Sequence, residues 1–448
     1  MIARCLTCAV IFGWLVTPTA AMASQADADE LAAANLLSEL IRVDSSNPPG
    51  DTAAIAARLK KMFDELGVPN EIVVAPNGKA AHFFARVKGD GSKKPILLAA
   101  HSDVVPAEAK RWSVDPFGGI QKDGFVWGRG ALDNKGALAT FAVAVSKIVS
   151  KKIPLARDII FLAEADEEQG TYHTSWLEKE HWSKMDAEFS LNEGGRVIWN
   201  GAGAVSEVAI TFVDKLTISF RMTASGPNGH SARPWPVGVT ANGQLIHAME
   251  KLSTFSQPVV LSAETRTYLQ GLAKLRPGPF AEATHAVLAA QTDAERNDAA
   301  TRLIALDTEN SLGLAGVLRN TLVITMIQSG VKRNVIPGSA EAIMNARLFP
   351  GQSIDAFVAD LNRTIDNPNI RLEIISDLPQ DQALAYYRGR ALVPPSSLDT
   401  ELYSALTASA RKQWPTATIL PTVLTGATDA VPWREHRIPV YGIGPTPI

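Results

Sequence analysis

Residues 95–136 read PILLAAHSDVVPAEAKRWSVDPFGGIQKDGFVWGRGALDNKG, and the rest of the chain is organised around this stretch. An apolar run, Ile96 to Ala100, ends in His101-Ser102-Asp103, which predicts a buried strand with a histidine at its carboxyl end. Open α/β sheets place their active sites at that edge. Asp103 lies two residues after His101, on the same side of an extended backbone, so its carboxylate is suited to fixing the tautomer of the imidazole.

Acidic residues follow other predicted strands. Asp133 ends the segment GRGALD at the next strand-to-helix junction. The buried strand predicted at Arg157 to Ala163 runs into EADEEQG, residues 164–170, and SLNEGG, residues 190–195, follows another strand-like stretch. A histidine and several carboxylates at one edge of a sheet predict a metal site.

The adjacent residues Glu167 and Glu168 predict a division of labour. On an extended backbone their side chains point to opposite sides, so only one of them can ligate a given metal ion. The other is then free to bind and deprotonate a water molecule.

Length and composition limit the remaining possibilities. The chain has 448 residues, 46% of them hydrophobic, and a formal net charge of -3. This length predicts two or three domains with sizeable cores. The charge gives no electrostatic footprint for nucleic acid, so we expect no nucleic-acid partner.

The N-terminus is typical of a secretory signal peptide. Arg4 precedes an apolar segment from Cys5 to Val16, and Ala21-Met22-Ala23 resembles a cleavage site. The alternative is an uncleaved membrane anchor, but the apolar core is shorter than the ~20 residues that span a bilayer. We therefore expect a secreted or periplasmic protein without a stable membrane span. Both cysteines, Cys5 and Cys8, lie in this segment, so the mature chain would lack disulfides.

The second half of the chain has a different pattern of elements. Alternating or amphipathic segments predict the order β-α-β-β-α-β, which is that of a ferredoxin-like domain inserted into the first one. These segments are Lys215 to Met222, Ala241 to Leu252, Thr321 to Gln328, Ala340 to Leu348, Ser353 to Ile365 and Ile370 to Ile375. Between the first helix and the second strand, Thr254 to Arg319 is Ala-rich and predicted to be helical.

Four motifs carry a resemblance to a known family: HSDVVP, GRGALDNKG, ADEEQG and LNEGG. Together they resemble the M20 family of dinuclear zinc peptidases and aminoacylases, and the helical insertion is similar to its carboxypeptidase S-like branch. The resemblance implies an α/β fold in which a catalytic domain, with a central mixed sheet flanked by helices, carries an inserted ferredoxin-like lid domain. It covers nearly all of the mature chain.

The resemblance also implies roles for individual residues and a cofactor of two Zn²⁺ ions. One zinc ion would be held by His101, Asp133 and Glu193, with Asp133 bridging to a second ion that Glu168 ligates. Glu167 would be the general base, and Asp103 the carboxylate behind the histidine. Some relatives have Asp-Glu-Gly-Gly where this chain has Asn192-Glu193, and they use the aspartate as the ligand.

Within the lid, the resemblance implies three further functional residues. His230, in the loop GPNGHSARP, matches a histidine that donates to the developing oxyanion, often across a dimer interface. Asn334 and Arg347 match residues that hold the carbonyl and the carboxylate of the substrate. A guanidinium binds a free carboxylate in a fork, although a surface ion pair is an equal alternative for Arg347. A homodimer through the lid is a further expectation.

The chain is therefore expected to consist of a signal peptide at 1–23, the first part of the catalytic domain at 24–211, the lid at 212–378 with its helical insertion at 254–319, and the second part of the catalytic domain at 379–448. The family has one more ligand histidine beyond the Gly-x-Gly-Pro strand end, here Gly442 to Pro445. Either the C-terminus is incomplete or the protein lacks this ligand, and the first explanation is simpler.

The sequence is compatible with two functions. The favoured one is a zinc-dependent hydrolase that cleaves an amide bond of a dipeptide or an N-acyl amino acid, with Glu167 as the base for a metal-activated water. The alternative is a catalytically impaired homologue that binds peptides or acyl-amino acids between lid and core. A dinuclear phosphoesterase is disfavoured because no segment is suited to cradling phosphate.

Overall fold

The structure is a computed structural model that describes residues 19–200, 203–308 and 310–444. The apolar part of the predicted signal peptide lies outside these residues, and the predicted cleavage site falls in the first helix. Among the described residues, no helix combines the length and the apolar character needed to span a membrane.

The described residues form the following strands and α-helices. The strands are β1 (Asn70–Val74), β2 (Ala81–Val87), β3 (Ile96–His101), β4 (Ile120–Lys122), β5 (Phe125–Trp127), β6 (Ile159–Glu164), β7 (Phe189–Asn192), β8 (Arg196–Trp199), β9 (Val205–Asp214), β10 (Leu216–Ser225), β11 (Gly229–His230), β12 (Thr321–Ser329), β13 (Val335–Ile336), β14 (Ser339–Leu348), β15 (Ile370–Ile374), β16 (Thr418–Leu424) and β17 (Val440–Gly442). The α-helices are α1 (Thr19–Ile41), α2 (Ala53–Glu65), α3 (Lys135–Ser150), α4 (Thr174–Met185), α5 (Ala241–Ser253), α6 (Ala263–Leu275), α7 (Pro279–Ala289), α8 (Asp293–Leu306), α9 (Ser311–Leu318), α10 (Ile354–Ile365), α11 (Gln380–Ala391), α12 (Glu401–Gln413) and α13 (Val431–Glu435).

A large mixed sheet has the strand order β1-β2-β6-β3-β7-β17-β9-β16, with β8 paired to β9. Strands β6, β3, β7 and β17 run parallel, whereas β1, β2 and β6 pair antiparallel. The mixed sheet flanked by helices confirms the predicted fold class. Because β6, β3 and β7 are parallel neighbours, their carboxyl ends meet at one edge.

Helices cover both faces of this sheet, which explains why β3 and β6 are almost continuously apolar. Helices α1, α2 and α3 pack on one face, where Leu40, Leu59 and Leu138 are fully buried against β2, β3 and β6. On the other face, Leu177 of α4 and Trp433 of α13 are buried against the same strands.

The ferredoxin-like unit has the predicted order of elements and a four-stranded antiparallel sheet, β12-β14-β10-β15. We refer to this unit as the lid. Alternate residues of β10 and β14 are buried because α5 and α10 cover only one face of the sheet. Helix α11 adds Ala383 and Ala391 to the same core, so lid packing extends beyond residue 378. Strand β9 belongs to the large sheet as far as Asp214, so the lid sheet begins at Leu216.

Residues 254–319 form helices α6 to α9, as the composition predicts. Their core includes Leu269, Leu303 and Leu420, and the last of these residues belongs to β16 of the large sheet. Contact is close, since a Cβ on Gly271 of α6 would lie 1.9 Å from the Leu420 side chain. The insertion therefore lies between two elements of the lid in the sequence, but in the structure it packs on the large sheet.

Candidate metal centre and active site

His101 is the last residue of β3, between the ends of β6 and β7. Glu167 and Glu168 follow β6, and Glu193 follows β7. The strand order alone therefore brings one histidine and three carboxylates to the same edge of the large sheet.

Asp133 reaches this edge by a different route from the predicted one. The strand that precedes it, β5, pairs only with β4 in a small hairpin outside the large sheet. A turn after this hairpin carries Asp133 and leads into α3, which begins at Lys135.

The imidazole of His101 is buried and lies at the centre of the cluster. Its Nε2 lies 2.9 Å from Oδ1 of Asp133 and 3.3 Å from Oε2 of Glu193. Its Nδ1 lies 3.0 Å from the backbone oxygen of Asp103 and 3.7 Å from the carboxylate of that residue. The nearest group for fixing the tautomer is therefore the Asp103 carbonyl, with the carboxylate behind it.

Two overlapping groups of side chains have ligand atoms within 4.8 Å of one another. The first contains His101, Asp133 and Glu193, and the second contains His101, Glu167 and Glu168. The structure thus assembles all five residues at one edge.

The expectation that an extended backbone separates Glu167 from Glu168 is wrong. Both residues lie in a turn that follows Asp166, which has a positive φ of 70°. In a turn, consecutive side chains are not forced to opposite sides, so both carboxylates approach His101.

Burial and neighbouring charges perturb the protonation of the cluster. Burial raises the pKa of Glu167 to about 8; the negative charges of Glu193, Glu168 and Asp103 act in the same direction, and His101 opposes them. Burial also raises the pKa of Glu168. Burial alone would lower the pKa of His101, but hydrogen bonds to Asp133 and Glu193 raise it well above its usual value.

These donors fit metal ions. Imidazole nitrogen and carboxylate oxygen are ligands of Zn²⁺, and a cation at this position would favour the charged form of carboxylates such as Glu167, whose pKa burial raises to about 8. His101, Asp133, Glu168 and Glu193 would hold the ions.

Asp103 organises the turn that carries the glutamate pair. Its side chain is completely buried. Oδ1 accepts a hydrogen bond from the backbone N–H of Glu167 at 3.2 Å, and Oδ2 accepts one from that of Glu168 at 3.1 Å. Asp103 therefore joins the end of β3 to the turn after β6.

His230 and Asn334 come together in the lid. His230 lies on β11, and Asn334 lies in the turn directly before the paired strand β13, where Nδ2 of Asn334 is 3.2 Å from Nε2 of His230. His230 is exposed. Within the ranges that the structure describes, His230 belongs to neither of the two groups of clustered ligand atoms around His101.

Arg347 is half-buried on the lid sheet, where it donates to Oγ1 of Thr217 at 2.5 Å and to Oδ1 of Asn345 at 2.9 Å. Its burial lowers its pKa. No carboxylate among the described residues lies within ion-pair distance of Arg347, so the alternative of a surface ion pair finds no partner there.

Several residues around the cluster were not predicted as functional. Asn134 donates to Oε2 of Glu193 at 3.2 Å, and Asn192 accepts from the backbone N–H of Glu193 at 2.6 Å. Asn192 in turn donates to Oδ1 of Asp429 at 2.6 Å, and Asp429 is fully buried. Asn47 donates to Asp103. Asn134 and Asn192 adjoin the predicted ligands Asp133 and Glu193 in the sequence, which is the signal that could have identified them.

His436, the nearest histidine to the C-terminal strand, does not join the cluster. Its Nε2 lies 2.8 Å from Oε1 of Glu178, and its ring stacks on Trp182 at 3.9 Å between centroids. This contact fixes His436 on the outer side of α4 and α13.

Comparison with solved structures supports this fold. The chain resembles an M20 family metallo-carboxypeptidase, Sso-CP2 from Sulfolobus solfataricus, with a TM-score of 0.63 and 18% identity over 91% of this chain and 89% of that one. At this identity the likeness concerns the fold alone.

Curated relatives include the human N-fatty-acyl-amino acid synthase/hydrolase PM20D1, 28% identical over 68% of this chain and 61% of the relative. Probable carboxypeptidase S-like 2 of Dictyostelium discoideum is 27% identical over 76% of this chain and 62% of the relative. The chain thus spans about three fifths of the length of these relatives. Residues 97–447 match the family described as Peptidase family M20/M25/M40, and the chain therefore belongs to this family.

Proposed function

We propose that this protein is a metal-dependent hydrolase that cleaves an amide bond of a dipeptide or an N-acyl amino acid. The observation that carries the proposal is the meeting of His101, Asp133, Glu167, Glu168 and Glu193 in two overlapping groups at one sheet edge. A protein that only bound peptides would have no use for a carboxylate beyond those needed as ligands.

His101, Asp133, Glu168 and Glu193 would hold two metal ions, which we propose to be Zn²⁺. When bound, the ions lower the pKa of water and polarise the carbonyl that is attacked. Glu167 accepts a proton from the attacking water and transfers it to the leaving nitrogen. Asp103 holds the backbone of Glu167 and so orients this carboxylate.

The lid residues act on the other side of the substrate. We propose that His230 donates a hydrogen bond to the oxyanion, and that Asn334, which contacts His230 at 3.2 Å, holds the carbonyl group. Because His230 belongs to neither ligand group around His101 in this structure, we propose that it reaches the substrate by a movement of the lid or from the lid of a second chain. Arg347, which has no carboxylate partner among the described residues, would bind the free carboxylate of the substrate.

Exposed apolar residues beside the cluster favour a substrate with an apolar acyl group. Leu132, which precedes Asp133, is 73% exposed, and Val105, whose N–H donates to Glu168, is 40% exposed. Hydrolysis of N-fatty-acyl amino acids by a relative, as its name states, is consistent with such a surface.

A hydrolysis screen of the purified protein tests the proposal. N-acyl amino acids of increasing chain length and dipeptides would be offered with added Zn²⁺ and after chelation. We expect turnover that chelation removes. Saturable binding of these compounds without any turnover would instead support the catalytically impaired homologue.

Substitution of the glutamate pair separates base from ligand. Glu167→Gln keeps the shape and removes the base, so we expect normal metal content and a collapse of kcat. Glu168→Gln should weaken metal binding first, with activity partly restored by excess zinc. Loss of metal from the Glu167→Gln variant together with retention by the Glu168→Gln variant would reverse the two roles, and activity in both variants would refute the mechanism.

We also propose a homodimer through the lid. Strand β12 is an edge of the lid sheet and exposes Val323, Met326 and Ile327, each more than half accessible. Exposed, apolar edge strands are suited to pairing with a second chain. Sedimentation of wild-type protein and an Ile327→Asp variant tests this proposal, since only the variant should be monomeric.

The N-terminal segment supports the further proposal that the protein is exported and cleaved after Ala23. N-terminal sequencing of the protein secreted by a bacterial host tests it, with Ser24 as the expected first residue. A protein retained with Met1 would contradict export.

A further inference from the structure

Asn47 connects two carboxylates from different strand ends. It is the first residue of Asn47-Pro48-Pro49-Gly50, and only 5% of it is exposed. Its Nδ2 donates to Oδ2 of Asp103 at 2.7 Å and to Oδ1 of Asp166 at 2.8 Å. A side-chain amide nitrogen has two hydrogens, so both are used on these two carboxylates.

The two carboxylates build the turn that carries the glutamate pair. Asp103 accepts the backbone N–H groups of Glu167 and Glu168. Asp166 accepts the backbone N–H of Tyr172 through Oδ2 at 2.6 Å, and its carbonyl accepts that of Gly170 at 2.8 Å. The side chains of Asp103 and Asp166 therefore hold the two ends of the segment 166–172, and Asn47 donates a hydrogen bond to each of them.

Asn47 is fixed independently of these carboxylates. Its backbone N–H donates to the carbonyl of Val104 at 2.8 Å, just after β3. The tight turn after it requires glycine, because Gly50 has a φ of +68° and a Cβ there would lie 2.8 Å from Cγ of Asn47. Lys135 also anchors the preceding backbone through Nζ, which donates to the carbonyls of Leu40 and Val43.

A neutral donor suits this position for an electrostatic reason. Asp103 and Asp166 are both buried, at 0% and 3% exposure, next to a cluster that is already crowded with carboxylates. An amide satisfies both groups without adding charge to the neighbourhood. Without it, each carboxylate would lose a hydrogen bond and the two would repel each other at short range.

We propose that Asn47 is a positioning residue of the active site: by bridging Asp103 and Asp166 it fixes the turn 166–172 and thereby the directions of Glu167 and Glu168. This inference rests on the proposed function, in which Glu167 is the base and Glu168 a metal ligand. Asn47 itself touches neither substrate nor reacting atoms.

Two substitutions test the proposal in the full-length protein. Asn47→Ser removes the bridge, and Asn47→Asp replaces it with a third carboxylate. The matched control is Asn70→Asp, because Asn70 also donates to a carboxylate, that of Asp64 at 2.8 Å, but does so on the exposed side of β1. Measurements are circular dichroism, zinc affinity by competition with a chromophoric chelator, and kcat and KM.

We expect folded Asn47 variants whose kcat or zinc affinity falls 10–100-fold while KM stays within about threefold, as for other residues that orient metal ligands from behind. The control should change each quantity less than twofold. Adding Asp166→Asn to Asn47→Asp restores the number of carboxylates, so kcat or zinc affinity, whichever fell, should be at least about threefold higher in the double variant than in Asn47→Asp alone.

Several outcomes would overturn the inference. They are a folded Asn47→Asp variant with kcat and zinc affinity within twofold of wild type, a change in KM alone, a double variant no less impaired than Asn47→Asp, and failure of both Asn47 variants to fold. Wild-type protein that binds zinc but hydrolyses nothing would refute the proposed function instead, and the zinc affinities would still decide for or against Asn47.

Discussion

The side-chain amide of Asn192 donates to Oδ1 of Asp429 across 2.6 Å, and both residues are almost completely buried. The same Asn192 accepts the backbone N–H of Glu193, so the contact extends from the turn after β16 to a candidate metal ligand. Oδ2 of Asp429 has no hydrogen-bond partner among the described residues. A buried carboxylate with one free oxygen is costly when charged.

Burial raises the pKa of Asp429 to about 7. Because this pKa exceeds the usual value of 3.8, the folded state holds one more proton than the unfolded chain between about pH 4 and pH 7. The contribution of Asp429 to the free energy of unfolding is therefore fully present below about pH 4 and is lost as pH rises to about 7. Asp429→Asn keeps the contact without the charge. In chelated protein, we expect its free energy of unfolding to exceed that of wild type by roughly 2–4 kcal/mol at pH 8 and to match it near pH 4. Urea unfolding at both pH values measures this, and an equal difference at both would refute it.

Asp133→Ala should release metal. Asp133 is the carboxylate nearest to Nε2 of His101, and the hydrogen bond from His101 lowers its pKa, so it is charged and available as a ligand. We expect metal analysis after gel filtration to show a loss of at least one equivalent per chain. Asp64→Ala, at an exposed carboxylate on α2, is the control. Unchanged metal content in the Asp133 variant would contradict the assignment.

His230→Ala should lower kcat by ~10²–10³ without changing metal content, because it removes an oxyanion donor but no ligand. The lid offers a matched control in His247, an exposed histidine of α5 whose Nδ1 lies 3.5 Å from Glu250. His247→Ala should change kcat less than twofold. A wild-type kcat in the His230 variant would show that His230 does not donate to the oxyanion.

His82 should make the protein sensitive to acid. Burial lowers the pKa of His82 to about 3, and its Nδ1 accepts the backbone N–H of Ala165 at 3.1 Å. Since the unfolded chain binds this proton near pH 6.5 and the folded chain does not, stability falls as pH drops below 6.5, by at most ~1.4 kcal/mol per pH unit.

Unfolding in urea at pH 7 and pH 5, with and without the change His82→Gln, isolates this contribution. We expect the variant to lose less stability between the two pH values than wild type. His285→Gln, at an exposed histidine of α7, should behave like wild type. Identical pH dependence in all three proteins would refute the assignment of acid sensitivity to His82.

The sequence predicted the sheet edge because apolar runs such as Ile96 to Ala100 leave few alternatives to a buried strand, and the alternation in β10 and β14 predicted the lid in the same way. The local pattern could not predict the turn at Glu167 and Glu168. Contacts with Asp103, which is more than 60 residues away in sequence, stabilise that turn.

The same limit explains the residues that were not predicted. The local sequence Asn47-Pro48-Pro49-Gly50 is typical only of a break between helices, although its asparagine reaches Asp166 across 119 positions of the chain. The composition of residues 254–319 predicted helices, but only the contact with Leu420 locates them on the large sheet.

Packing of these helices on the large sheet changes how the lid is attached. The polypeptide passes between the two units four times instead of twice, near residues 215, 254–262, 319–321 and 391–401. Three passages are tied together, because Val259 pairs with Arg319 and the buried Lys215 donates through Nζ to the Arg319 carbonyl. The lid is thus connected to the large sheet by four segments, three of which contact one another, instead of by a two-stranded hinge. Any movement of the lid relative to the large sheet would therefore have to involve all three connected segments together.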